Sequence, residues 1–287
     1  MNYIFRPDVF PHQSESASIG TQIARVAALS RDVADRARHE VSTARIDWTA
    51  EYSDYQSGGW WTASLLNESG DPGDVVIRDC QPRPTRLLER LPHVQRLLDG
   101  VSLTIMWARL ARLSPNSFLW EHRDYGDLNQ VDRCRLHIPL STCDSAFMII
   151  GGQRVHLAAG NVWRLTPTIP HGACNLYGPD RIHVIIDCYV DDDYHAKVNN
   201  SPSLDFAATP LPHAMLPEIQ QQLAAAHQLV ELGYPTAAEA SLMRLFFHYA
   251  LPVGGVYDLV AELYESLGMP EDVTSWRLRK RRMLDLT

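Results

Sequence analysis

Cysteine is the first thing this chain has little of: five in 287 residues, an odd number, with no C-x-x-C pair among them. That argues against a disulfide framework or a thiolate zinc site and points to a reducing cytoplasm. Long apolar runs are missing too; none approaches the ~18 residues a membrane span requires. The opening Met-Asn-Tyr-Ile-Phe-Arg-Pro has no basic segment leading into an apolar core, so no leader is expected. Positive charge is scarce, with 26 Lys and Arg against 34 Asp and Glu and a net charge of -8. A surface built for nucleic acid is therefore not expected. The one basic run, residues 277–282, reads as a solvated helix end where cations suit the dipole, with a binding tail as the alternative.

What remains is globular: 45% hydrophobic and 21% charged residues exclude wholesale disorder and collagen-like repeats. Residues 21–39 space Ile23, Val26, Leu29 and Val33 on one face, which predicts an amphipathic helix. A strand is predicted over 60–66. After the breakers Pro82 and Pro84 comes a short helix over 85–98 that ends at Gly100. Between residues 101 and 191 the texture changes to short runs of β-branched and aromatic residues. Turn signals punctuate them, among them Ser114-Pro115-Asn116 and Gly151-Gly152. Short strands with no helical pattern between them imply an antiparallel sandwich or barrel. Residues 199–212 read as a linker. Helices are then predicted over 216–232, 236–250, 256–267 and 271–284, separated by Gly233, Gly254-Gly255 and Gly268. This gives a β domain over 1–200 with N-terminal helices, and a helical domain over 201–287.

The residue in good supply is histidine, with 12. In Trp120-Glu121-His122-Arg123-Asp124, positions i and i+2 of a strand point to one side, so His122 and Asp124 can reach one metal ion. A second histidine would complete the two-His, one-carboxylate set of non-haem Fe(II) oxygenases, which leaves three positions open. Taken alone the motif is a weak signal, and two polar side chains on a surface strand explain it more simply. Its context narrows the choice. Pro170-His171-Gly172 lies 47 residues beyond Asp124, and Arg181 opens an apolar strand ten residues later. A cation inside a barrel is costly unless it meets a carboxylate. A guanidinium meets one bidentately, the geometry for the distal end of a dicarboxylic co-substrate.

On these residues, and on Arg133-Cys134-Arg135-Leu136-His137, the sequence resembles the Fe(II)/2-oxoglutarate dioxygenases of the aspartyl/asparaginyl β-hydroxylase and bacterial L-proline hydroxylase type. The likeness is tight over 101–191 and looser outside, where residues 60–67, Arg83-Pro84-Thr85 and the helical extension contribute. It implies a mainly β chain with α: a double-stranded β-helix (jelly-roll) core plus a C-terminal helical bundle. It implies His122, Asp124 and His171 as ligands of Fe(II), and Arg181 on the far carboxylate of 2-oxoglutarate. Arg135 would face the carboxylate of the substrate or co-substrate, and His137 would contribute to 2-oxoglutarate binding. Arg109 and Arg112 stand where related enzymes use basic residues on substrate, a rim salt bridge being the alternative. With O2, such a site hydroxylates an unactivated C–H; the retained Asp124 argues against halogenation.

The bland reading holds elsewhere. His156 and His183 are expected as satisfied sheet residues, with His183 on the Arg181 face. Trp107, Trp120 and Trp163 are expected in the core, and Cys134 and Cys174 as inert thiols. The expected function is hydroxylation of a free amino acid, proline-like or other, or a close derivative. An aspartyl or asparaginyl side chain in a peptide and a non-catalytic cupin-like metal module are the competitors. No nucleic-acid or membrane partner is expected, and the helical face leaves a homodimer open.

Overall fold

A computed structural model describes residues 19–51, 53–124, 132–199 and 205–285. The opening segment and residues 200–204 of the expected linker lie outside the described residues. In chain order the strands are β1 (Ile23–Ala28), β2 (Thr49–Ala50), β3 (Trp60–Asn67), β4 (Arg83–Pro84), β5 (Ile105–Leu113), β6 (Ser117–His122) and β7 (Arg133–Ser141). There follow β8 (Ala146–Ile150), β9 (Gln153–Val155), β10 (Asn161–Leu165), β11 (His171–Asn175), β12 (Arg181–Tyr189) and β13 (Ala208–Pro210). The helices are α1 (Ile19–Gln22), α2 (Arg31–Thr43), α3 (Pro92–Val101), α4 (Asp192–Tyr194), α5 (Leu216–Glu231), α6 (Pro235–Met243), α7 (Gly255–Ser266) and α8 (Pro270–Leu284). No described helix is long and apolar enough to cross a membrane.

Two antiparallel sheets form the jelly-roll. The major sheet runs β1-β10-β7-β12-β5-β3-β2, with β4 on β3, and the minor sheet runs β13-β9-β8-β11-β6. Period-two alternation sorts each strand into two environments. On β12, Ile182, Val184, Ile186 and Cys188 turn outward, into the layer under α2 and α3, where Val41, Val94 and Leu97 pack. Arg181, His183, Ile185 and Asp187 turn inward. Ile185 clusters with Met148 and Ala173 of the minor sheet and with Leu165 of β10 in the apolar floor of the barrel. The minor sheet is covered on its outer side by the bundle, where Phe118 and Trp120 of β6 pack with Phe247 and the α7 residues Leu259 and Val260. Trp107, Trp120 and Trp163 are all buried.

The structure departs from the sequence expectations at several elements. The helix expected over 21–39 begins as strand β1, because Ile23 and Ala24 are buried and the ladder with β10 satisfies its backbone. Helix α2 starts only after Ser30, whose hydroxyl accepts the Val33 N–H at 3.4 Å. The helix expected over 85–98 starts at Pro92, which suits the first turn, and ends on Ser102 in the left-handed region (φ 52°). The stretch read as linker contains β13, paired with β9. All five cysteines are free.

Candidate active site

His122 ends β6 and His171 begins β11, and the two face each other across the ladder. Each ring has its Nδ1 against a backbone carbonyl two residues back: Trp120 at 2.7 Å for His122, Ile169 at 2.8 Å for His171. Those bonds assign the proton to Nδ1 and leave both Nε2 lone pairs facing the barrel. Asp124 completes the set. Its Oδ1 lies 3.5 Å from Nε2 of His122, and its Oδ2 lies 3.5 Å from Nε2 of His171. One donor atom from each residue falls within 4.8 Å of the others. Metal–ligand bonds of about 2.1 Å place adjacent donors about 3 Å apart, so the three converge on one ion with a small inward adjustment. Two imidazoles and a carboxylate on one face suit Fe(II) and leave the opposite face open.

Burial opposes the charge on Asp124. The Arg135 guanidinium outweighs it, aided by His122 and His171, and holds the carboxyl well below its usual range. Arg135 reaches Asp124 Oδ2 through Nη1 at 2.5 Å and grips Asp187 through Nε and Nη2 at 2.9 and 3.1 Å. Asp187 is 0% exposed. This guanidinium thus bridges two protein carboxylates, one of which belongs to the candidate metal set. Arg135 lines the cavity, the place expected of a residue that faces a substrate or co-substrate carboxylate, and it also braces Asp124. Sequence reading missed Asp187, although its place two strand steps from His183 inside an apolar run was a usable signal.

Arg181 differs. It is 2% exposed, lines the same cavity as the triad, and its side chain forms no ion pair or hydrogen bond among the described residues. Burial pushes its pKa down to about 10. A buried cation without an anion is the feature a dicarboxylate co-substrate would answer. His137 also lines the cavity, with its Nδ1 3.4 Å from Nδ1 of His183 and its Nε2 buried without a hydrogen-bond partner. Burial first, then the Arg181 charge, keeps both imidazoles neutral by holding their pKa values well below the ordinary histidine range. The residues present thus fit both absent groups: three donors for iron, and Arg181 with His137 for the far end of 2-oxoglutarate.

The cavity holds about 490 Å³, within the roughly 300–1,000 Å³ usual for small-molecule sites. Arg109 points into it, with its guanidinium 4.6 Å from the Trp107 ring centre and 5.6 Å from that of Trp60. Arg112 does not line it. Three residues along the same strand, Arg112 turns to the outer face, over Trp48 and Trp61 at 4.8 and 5.5 Å and 3.9 Å from Asp180. The expectation of a substrate contact there is corrected to the salt-bridge alternative. Tyr55 stands edge-on to His122, with ring centres 5.4 Å apart. At the mouth are Glu51, Arg123, Arg281, Arg282 and Asp285. The basic run at the end of α8 is thus exposed yet borders the site, which its reading as a plain solvated end did not anticipate.

A jelly-roll that carries this donor set on one wall and a buried arginine in the same cavity is the architecture of a non-haem iron hydroxylase. Its family is evident from sequence comparison: the chain belongs to the aspartyl/asparaginyl β-hydroxylase family, whose model matches residues 27–190. It is 24% identical over 260 residues to the L-proline cis-4-hydroxylase of Rhizobium meliloti (strain 1021), covering 82% of this chain and 86% of that one. It is 27% identical over 154 residues to L-proline cis-3-hydroxylase 1 of a Streptomyces species, covering 51% of this chain and 53% of that one. Among solved structures, HygX from Streptomyces hygroscopicus with nickel and 2-oxoglutarate bound superposes with a TM-score of 0.40 at 13% identity. That match spans 66% of this chain and 95% of HygX.

Proposed function

We propose that this chain is an Fe(II)- and 2-oxoglutarate-dependent hydroxylase of a free amino acid, proline-like or other, or of a close derivative. The observation that carries the proposal is the pairing, in one cavity, of the His122–Asp124–His171 donor set with the unpartnered buried Arg181. Iron, when bound with 2-oxoglutarate and O2, supplies oxidising power sufficient for an unactivated C–H bond, with succinate and CO2 as co-products. The chain does the rest. His122, Asp124 and His171 hold the metal, and Arg135 fixes Asp124 from behind. Arg181 neutralises the 5-carboxylate of 2-oxoglutarate, with the neutral His137 beside it as a hydrogen-bonding partner. Met148, Leu165, Ala173 and Ile185 keep that floor apolar and exclude water from it. Arg109, braced by Trp60 and Trp107, takes the substrate carboxylate, the group that a free amino acid always offers.

The two relatives named as L-proline hydroxylases support a free amino acid over a peptide side chain. The five free cysteines support a cytoplasmic setting. A homodimer through the bundle, where Leu232 and Tyr234 are 70% and 62% exposed, and a division of the chain near residue 200 belong to the same proposal. Its test is anaerobic addition of Fe(II) and then 2-oxoglutarate to the purified protein. A visible charge-transfer band is expected, and it should shift when an accepted amino acid is added. No band would favour a metal-binding module, and a shift with aspartyl or asparaginyl peptides alone would favour the peptide enzyme.

A further inference from the structure

The residues on either side of His122 are bonded to the helical bundle. Glu121 is 3% exposed, and its two carboxylate oxygens accept the Gly254 N–H at 3.1 and 3.0 Å. Tyr257, in the first turn of α7, donates its hydroxyl to the Glu121 carbonyl at 2.6 Å. On the other side, the Arg123 N–H donates to the Met283 carbonyl near the end of α8 at 2.9 Å. Main chain and side chain thus tie the metal-bearing strand end to two helices more than a hundred residues away.

The local geometry explains why such ties are needed. From the pair His171↔His122 to the pair Ala173↔Leu119, β11 advances two residues while β6 advances three. This is a bulge, and it breaks the alternation. Trp120 and Glu121 both face the bundle, and His122 is returned to the barrel interior. A bulge leaves its extra residue outside the ladder, so something else must hold it. An apolar side chain at 121 would pack this interface without the cost of burying a carboxylate. The carboxylate is accounted for by the backbone group it grips. That grip requires glycine at its other end: Gly254 has φ 74°, and a Cβ there would lie 2.4 Å from Lys280 Cε and 2.8 Å from Leu284 Cδ1.

We propose that the helical bundle is a positioning element of the metal site, in which Glu121, held by Gly254 and Tyr257, locks the β6 bulge that aims His122 into the barrel. This rests on the reading of His122, Asp124 and His171 as metal ligands. Metal affinity then depends on residues that touch neither metal nor substrate, and the bundle is part of the active-site framework.

The experiment is Co(II) binding to the full chain, followed by its visible spectrum and by competition with a chelator. Glu121→Leu is expected to weaken Co(II) by about 10–100-fold, the usual effect of losing a group that orients a ligand. Glu121→Gln, which keeps an acceptor for the Gly254 N–H, should restore most of the affinity. Leu263→Ala, a cavity mutation on α7 that touches neither tie, should lower the melting temperature and leave Co(II) affinity close to wild type. That result separates positioning from general loosening. Should Glu121→Leu fail to fold, Tyr257→Phe removes one hydroxyl and should still weaken Co(II) measurably. Wild-type affinity in Tyr257→Phe and in every folded Glu121 variant would overturn the proposal. A Co(II) spectrum that survives His122→Ala unchanged would instead overturn the metal-site reading, and the positioning role with it.

Discussion

Replacing Arg181 by Met should make the empty protein more stable and the co-substrate much weaker, two effects of opposite benefit from one side chain. The guanidinium is 2% exposed, and burial lowers its pKa from the ordinary arginine value to about 10. At about 1.4 kcal/mol per pKa unit, that difference is about 3 kcal/mol held against the charged form. The sign follows from the direction: a base with a depressed folded pKa destabilises the fold at every pH below that value. The whole penalty is therefore present at neutral pH. Methionine removes it and fills similar space with apolar atoms, so apo stability should rise by up to about 3 kcal/mol. The same change removes a buried partner for the 2-oxoglutarate carboxylate. Truncating such a pair costs about 2–5 kcal/mol, or about 30-fold and upward in affinity. Urea unfolding of the apo protein, with calorimetric titration of 2-oxoglutarate into the Mn(II)-loaded protein, reads both quantities. A variant less stable than wild type that binds 2-oxoglutarate equally well would refute the reasoning.

Asp187→Asn should cost about 3 kcal/mol in urea unfolding of the apo protein, since it breaks a buried ion pair with Arg135; an unchanged midpoint would mean that the pair contributes nothing. The apo fold should lose stability as pH falls below about 6.5, because His137 and His183 are held neutral while their unfolded counterparts take up protons. His183→Phe should make that slope shallower by up to about 1.4 kcal/mol per pH unit, and an unaltered slope would exclude His183 as its source. Arg109→Gln should raise KM for the amino acid by about tenfold or more, as expected for a lost charge-assisted contact, while Arg112→Gln, on the outer face, should leave KM near wild type. Equal effects of the two would contradict their assignment to opposite faces of β5.

The candidate metal set, which the fold brings together, was legible because its signals are local. His122 and Asp124 stand at the two-residue spacing of a strand, and Pro170-His171 opens the strand that pairs with β6. The helices over 216–284 were legible for a similar reason, since Gly and Pro punctuate them, although the one expected over 236–250 ends as an α-helix at Met243. The β1 segment misled because its apolar spacing suits a helix, while a ladder with a strand more than 130 residues away decides the outcome. Arg112 could have been sorted from sequence, since an odd separation from Arg109 on one strand sends the two to opposite faces. Asp187 and Gly254 lie 52 and 133 residues from the groups they hold, and no spacing rule connects them. The mouth residues on α8 were invisible for the same reason: a basic helix end looks alike whether it faces solvent or a cavity.

The central claim is that one cavity couples 2-oxoglutarate oxidation to hydroxylation of a free amino acid. Its most direct test is aerobic turnover of the purified protein with Fe(II), ascorbate, 2-oxoglutarate and a panel of free amino acids, with succinate and amino-acid products quantified by mass spectrometry. The account predicts, for at least one amino acid, a product one oxygen heavier, formed with equimolar succinate and lost together with succinate in Asp124→Ala and His171→Ala. Hydroxylation that persists in those variants, or that proceeds without succinate, would contradict it.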